Sequence, residues 1–154
     1  MSFDAEVSQI VPVEFGLRMC ALPRRAWKWE ANMSLWWRCR DRYRPAVLCR
    51  VMTSEALIVH SGQREGQLAE INGRDRELAV PMLDPPTCAR FVAQLRRKLK
   101  DETLSVCRFS ALSENWIVDG KAGLPAIEGL SEAEALVRLY EDQFPARKRR
   151  MVPA

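Results

Sequence analysis

The chain has 154 residues, 47% of them apolar and 29% charged, which suits one globular domain that needs neither a metal nor a disulfide staple. That balance excludes a largely disordered chain, and no apolar run approaches the roughly 18 residues a membrane span requires. The opening MSFDAEVSQI is acidic and lacks the basic and apolar regions of a signal peptide.

The formal charge of +4 hides a strong segregation. Residues 24–50 hold eight basic side chains (Arg24, Arg25, Lys28, Arg38, Arg40, Arg42, Arg44, Arg50) against Glu30 and Asp41. Residues 85–100 hold Arg90, Arg96, Arg97, Lys98 and Lys100 and no acid, whereas residues 101–144 set nine acids against three bases. A basic run, Arg147-Lys148-Arg149-Arg150, follows in a segment, 145–154, read as a mobile tail beyond a domain of residues 1–144. Such polarity creates local fields that the total charge conceals. Nineteen of the 24 basic residues are arginine, whose planar fork suits phosphate and carboxylate partners.

In chain order, residues 11–22 alternate, with Val11, Val13, Phe15, Leu17 and Met19 on one face, which predicts a half-buried strand. Residues 24–34 carry no clean period and read as a short helix or an irregular connection. Residues 35–44 alternate again, with Leu35, Trp37, Cys39 and Tyr43 on one face and Trp36, Arg38, Arg40, Arg42 and Arg44 on the other. Pro45 ends that strand, and Asp41 falls out of place on its apolar face. Residues 46–52 and 56–60 read as further strands, followed by a turn at Ser61-Gly62-Gln63.

Residues 67–71 and 76–80 are expected to form a hairpin through Asn72-Gly73, with a three-residue loop that sets Glu70 opposite Arg76. Asp84-Pro85-Pro86-Thr87 supplies a helix start. Cys88, Phe91, Val92, Leu95 and Leu99 then form an amphipathic stripe to about residue 100. Strands follow at 103–109 and 115–118. Ser131 with Glu134 makes a capping box before a helix to about 143. The fold class is therefore α+β: a mainly antiparallel sheet of six to eight strands packed with two amphipathic helices, about 87–100 and 131–143.

Motifs for chemistry are missing. Neither GxGxxG, GxxxxGK[ST] nor GxSxG occurs, so no cofactor and no enzymatic activity are expected. The single histidine, His60, ends a strand, and Cys20, Cys39, Cys49, Cys88 and Cys107 are too scattered for the closely spaced pairs of a zinc site. They read as free thiols of a reducing cytoplasm.

What stands out is arginine beside tryptophan. Four of the five tryptophans lie within residues 27–37, among most of the local positive charge. Cations for phosphates, interleaved with rings for bases, make up single-strand-binding surfaces. The expectation is a non-catalytic nucleic-acid-binding or nucleoprotein-accessory protein. Arg38, Arg40, Arg42 and Arg44 would form one ridge of a strand, joined by Arg97 and Lys98, with Trp36 as a stacking ring. The alternative is a protein-interaction module that docks an acidic protein partner through the same surface. Homodimerisation through a sheet edge is a further possibility, and no membrane contact is expected.

Overall fold

The computed structural model describes residues 12–60, 63–121 and 123–145, so the expected turn at Ser61-Gly62 and the basic tail beyond Pro145 fall outside the described residues. The α+β class read from the sequence holds, and every strand pairing is antiparallel. The eight strands among the described residues divide between two sheets instead of sharing one.

The larger sheet contains β1 (Ser34–Cys39), β2 (Arg42–Val51), β3 (Glu55–His60), β4 (Gln67–Glu70) and β5 (Ala79–Pro81), in the order β4-β3-β2-β1-β5. The smaller one is a meander of β6 (Ser105–Arg108), β7 (Trp116–Asp119) and β8 (Glu128–Gly129). Among the described residues three helices pack around them: α1 (Val13–Cys20), α2 (Pro85–Leu99) and α3 (Glu132–Gln143).

Both helices expected from the sequence are present, with the expected caps. The Asp84 carboxylate accepts from the Thr87 N–H at 3.2 Å, and the Ser131 hydroxyl accepts from the Glu134 N–H at 3.1 Å. Each cap satisfies an amide that the first helical turn leaves without a partner.

The segment expected to be a strand at 11–22 is instead helix α1. Val13, Phe15, Leu17 and Met19 do alternate, but Val13, Leu17 and Cys20 also recur at i, i+4 and i+7, so the segment fits a 3.6-residue period as well as a two-residue one. Gly16, Met19 and Cys20 lie at helical spacing and are buried. A Cβ at Gly16 would sit 2.2 Å from the Pro81 carbonyl oxygen and 2.4 Å from Val80 Cγ1, so only glycine lets α1 lie this close to β5. An Arg18–Glu141 ion pair, with Nε to Oε2 at 3.2 Å, then ties α1 to α3.

The hairpin expected between 67–71 and 76–80 does not form. β4 pairs with β3 and β5 with β1, at opposite edges of the sheet. Residues 71–78 cross between them, anchored by the Ile71 N–H to the Ser54 carbonyl at 3.2 Å and by Arg76 Nη1 to the Leu22 carbonyl at 2.6 Å. Asn-Gly favours a turn here, but β4 and β5 instead take four and three ladder positions on β3 and β1, at the two edges of the sheet.

The buried side chains make one continuous cluster that draws on all three helices and the large sheet, with Val106 and Val118 of the small sheet packed against it. Through it runs a chain of rings: Trp29–Trp27 at 5.0 Å, Trp27–Phe91 at 5.3 Å and Phe91–Tyr140 at 5.9 Å, all edge-to-face, then Tyr140 stacked on Phe144 at 6.0 Å. Trp27 and Trp29 are therefore core residues.

Where α2 ends, Lys100 adopts a left-handed conformation (φ 51°) and the next residue, Asp101, is buried. The Asp101 carboxylate accepts from the Lys121 N–H at 2.8 Å, the Thr103 hydroxyl at 2.6 Å and the Thr103 N–H at 3.0 Å. The Lys121 amide first, then the Thr103 hydroxyl, hold its pKa below the ordinary carboxylate value. A depressed folded pKa means that its contribution is complete above the unfolded value near 4 and is lost as pH falls through the lower folded one. Asp101→Asn is accordingly expected to melt below the parent protein at pH 7, with the gap closing as pH drops below about 4. Thermal melts across that range check this, and a gap independent of pH would refute the carboxylate's role.

Candidate nucleic-acid interface

The segment expected as a single strand at 35–44 is a hairpin. β1 and β2 turn back on each other through Arg40-Asp41, with Cys39 opposite Arg42, Arg38 opposite Tyr43 and Trp37 opposite Arg44. Arg40 takes the turn with a positive φ of 57°. Folding back at residues 40 and 41 changes the parity, so the four arginines do not form one row. Arg38 lies on the face of Tyr43, Arg42 and Arg44 lie on the opposite face, and Arg40 is in the turn.

Arg38 also forms an ion pair with Asp75, which raises its pKa. Trp36 is half-buried between Pro45 and Val80, and its indole N–H is enclosed without a hydrogen-bond partner. Its ring packs against the core instead of standing free to stack. Pro45 sits inside β2, one residue beyond the last pairing with β3 (Ala46 with His60), so its missing N–H costs no ladder bond.

Arg97 and Lys98 are brought together with cations that the expected site did not include. They line a cleft of about 760 Å³ between α2 and residues 24–30, together with Arg24, Arg25 and Lys28. A short 3₁₀ turn at Arg24–Ala26 presents the two arginines, and the chain then runs extended, so Trp27 and Trp29 point inward while Lys28 points out. Glu30 is the single acid on the lining.

Gln94, 2% exposed, fastens the far wall to α2. Its Oε1 accepts from the Lys28 N–H at 3.1 Å, and its Nε2 donates to the Lys28 carbonyl at 2.7 Å and to Glu30 Oε2 at 2.6 Å. The side-chain amide thus pairs with the Lys28 backbone as a neighbouring strand would. A smaller recess of about 120 Å³ continues the cleft past Arg24 and Lys28 toward Cys20, Asn72 and Arg76.

The cleft is electrostatically incomplete. Of its five cations, only Arg97 has a carboxylate within 4 Å among the described residues, Glu30 at 3.9 Å. Arg24 spends its fork on the carbonyls of Asn72 (3.3 Å) and Gly73 (3.0 Å), and Lys98 donates to the Arg25 carbonyl. Burial, and then the neighbouring Lys28 and Arg25 charges, hold the Lys98 ammonium below its ordinary pKa. Partial burial likewise lowers the pKa of Arg76 in the adjoining recess. Like charges held together at such cost are relieved by an anion.

Elsewhere, chemistry finds little to work with. Burial pushes the Cys20 thiol up to about 12 and raises Cys88 as well, so neither supplies a thiolate near neutral pH. His60 Nε2 lies 3.0 Å from Gln67 Oε1, and its Nδ1 is enclosed without a partner. Among the described residues, no three His, Cys, Asp or Glu side chains converge as a metal site would require, and no helix is long and apolar enough to cross a membrane.

No protein-family model matches the chain, and no curated protein or solved structure is significantly similar to it.

Proposed function

We propose that the protein binds single-stranded nucleic acid through its phosphates, with the cleft between residues 24–30 and α2 as the contact surface. The observation that carries this reading is the convergence of Arg24, Arg25, Lys28, Arg97 and Lys98 on one depression with a single acid among them. Two walls of unlike origin, a loop and the last turns of a helix, bring these charges together. Both belong to stretches that hold most of the positive charge of the described chain. Arginine and lysine neutralising successive phosphates release counterions, so binding is electrostatic and sequence-tolerant. The exposed Arg40, Arg42 and Arg44 of the hairpin are a second, flanking contact at most, because only Arg42 and Arg44 share a face and Arg40 sits in the turn. The same reading places the protein in the cytoplasm, where its five free cysteines stay reduced.

The test is fluorescence anisotropy with labelled single-stranded and duplex oligonucleotides across a salt series. Single strands are expected to bind more tightly, with affinity falling steeply as salt rises. Replacing Arg97 and Lys98 together with alanine removes about two phosphate contacts, which weakens binding roughly 25-fold near 0.1 M salt and flattens the log–log slope by about 1.4. Arg40→Ala with Arg42→Ala changes it far less. If neither oligonucleotide binds at low salt, the reading fails, and an acidic protein becomes the ligand class for the same cleft.

A further inference from the structure

One face of the larger sheet is closed by the core and the other is left partly open. Register assigns the sides: Ala46, Leu48, Ala56, Ile58 and Ala69 point inward and are buried. Their alternates point the other way. There Val47 (44% exposed) stands opposite the half-buried Val59, and the half-buried Leu57 stands opposite Leu68 (60% exposed). Helix α1 meets this outer face at its β5 end, where Gly16 lies against the Val80 side chain.

The charges on the open part are arranged in an unusual way. Glu55 and Glu70 face each other directly across β3 and β4, a like-charge pair that costs stability. Among the described residues neither has a cation within 4 Å. A β-bulge lies between Leu48 and Arg50, and it brings Arg50 opposite Leu57 and so onto this same outer face. Without the bulge, Arg50 would share the inward parity of Leu48. Arg50 is exposed and likewise has no carboxylate within 4 Å among the described residues.

On this face Arg50 stands on β2, one row along from the acids, and Glu70 stands on β4. A copy turned about an axis along the strands sets β2 against β4 and brings Arg50 over the mate's acid pair, which makes the face complementary to itself. We propose that this face is a homodimer interface, in which a second copy of the chain packs its own β2–β3–β4 surface against it and each Arg50 meets the Glu55–Glu70 pair of the other copy. Leucine and valine side chains from the two sheets fill the space between them, at the usual face-to-face spacing of about 10 Å. The mate's guanidinium relieves the acid pair that the monomer leaves facing itself. This inference is independent of the basic cleft.

Sedimentation velocity on the full chain tests it. A dimer is expected within the range up to about 100 μM, with Leu68→Asp shifting it to monomer. The decisive arm is a charge exchange. Arg50→Glu alone, and Glu55→Arg with Glu70→Arg alone, should each weaken self-association at least about tenfold by placing like charges in contact. Mixed together, the two variants should pair as tightly as the parent, because every contact is then complementary. Circular dichroism melts confirm that each variant is folded. A chain that stays monomeric throughout that range overturns the proposal. So does a dimer indifferent to Leu68→Asp and to the charge exchange, since it would use another surface.

Discussion

Phe91→Ala is expected to lower stability by about 3–5 kcal/mol, the range for deleting a fully buried aromatic ring. Phe91 has no exposed surface and stands at the middle of the ring chain, edge-on to Trp27 at 5.3 Å and to Tyr140 at 5.9 Å. Its removal leaves a void bounded by residues from three separate segments, none of which can move inward without losing its other neighbours. Against a net stability of roughly 5–15 kcal/mol, such a loss displaces the melting temperature by about 6–20 °C. Tyr140→Phe keeps the ring and removes only the hydroxyl, which donates to the Phe91 carbonyl at 2.8 Å, so it should cost about 0.5–1.5 kcal/mol, the net worth of one hydrogen bond to a carbonyl that keeps its helical partner. Denaturant titration of both variants checks the order. A Phe91→Ala protein within about 1 kcal/mol of the parent would show that the rings are not what joins the helices.

The second large effect is expected at Gln94. Gln94→Leu fills nearly the same volume but leaves the Lys28 N–H, the Lys28 carbonyl and one Glu30 oxygen without the amide that serves all three. At about 1–3 kcal/mol for each stranded group, offset where water reaches the cleft, the net loss should be roughly 2–4 kcal/mol. This substitution also separates the cleft from the fold. It releases residues 28–30 from α2 and spreads the cations without changing the net charge. Oligonucleotide affinity should therefore drop under conditions where the variant remains folded. Unchanged affinity in a destabilised but folded Gln94→Leu protein would mean that the cleft's shape does not matter to binding.

The elements that were legible from the sequence are those with a redundant signal. Helix α2 carries a cap, two prolines and a five-residue stripe, and α3 carries a capping box, so each was specified several times over. Helix α1 has eight residues with apolar groups at both parities, and its decisive feature, the contact of Gly16 with β5, is a tertiary fact that no local window contains. The β1–β2 hairpin did leave a trace, because Asp41 on the apolar face of a single strand was an inconsistency. Arginine followed by aspartate is not an expected pair for a tight turn, however, and the trace was not enough to break the strand in two.

The candidate site shows the same division. The sequence identified two basic stretches, and the cleft is lined by both. Which members meet depends on the distance in space between residues 24–28 and 97–98, set by the burial of Trp27 against Phe91. Arg38 illustrates the opposite error: its charge is spent on Asp75, a residue 37 positions away.

The placement of β5 has a consequence for how the molecule assembles. Strands β1 to β4 join neighbour to neighbour, each closing a short loop, whereas Leu35 and Pro81 meet only after the whole intervening chain has been gathered in. Closing a loop of that length carries an entropic penalty that is recovered only when the last ladder forms. The β1–β4 ladders should thus appear early in refolding. Helix α1 gains its seat against β5 only at that point, so the segment around Gly16 is among the last to find its place.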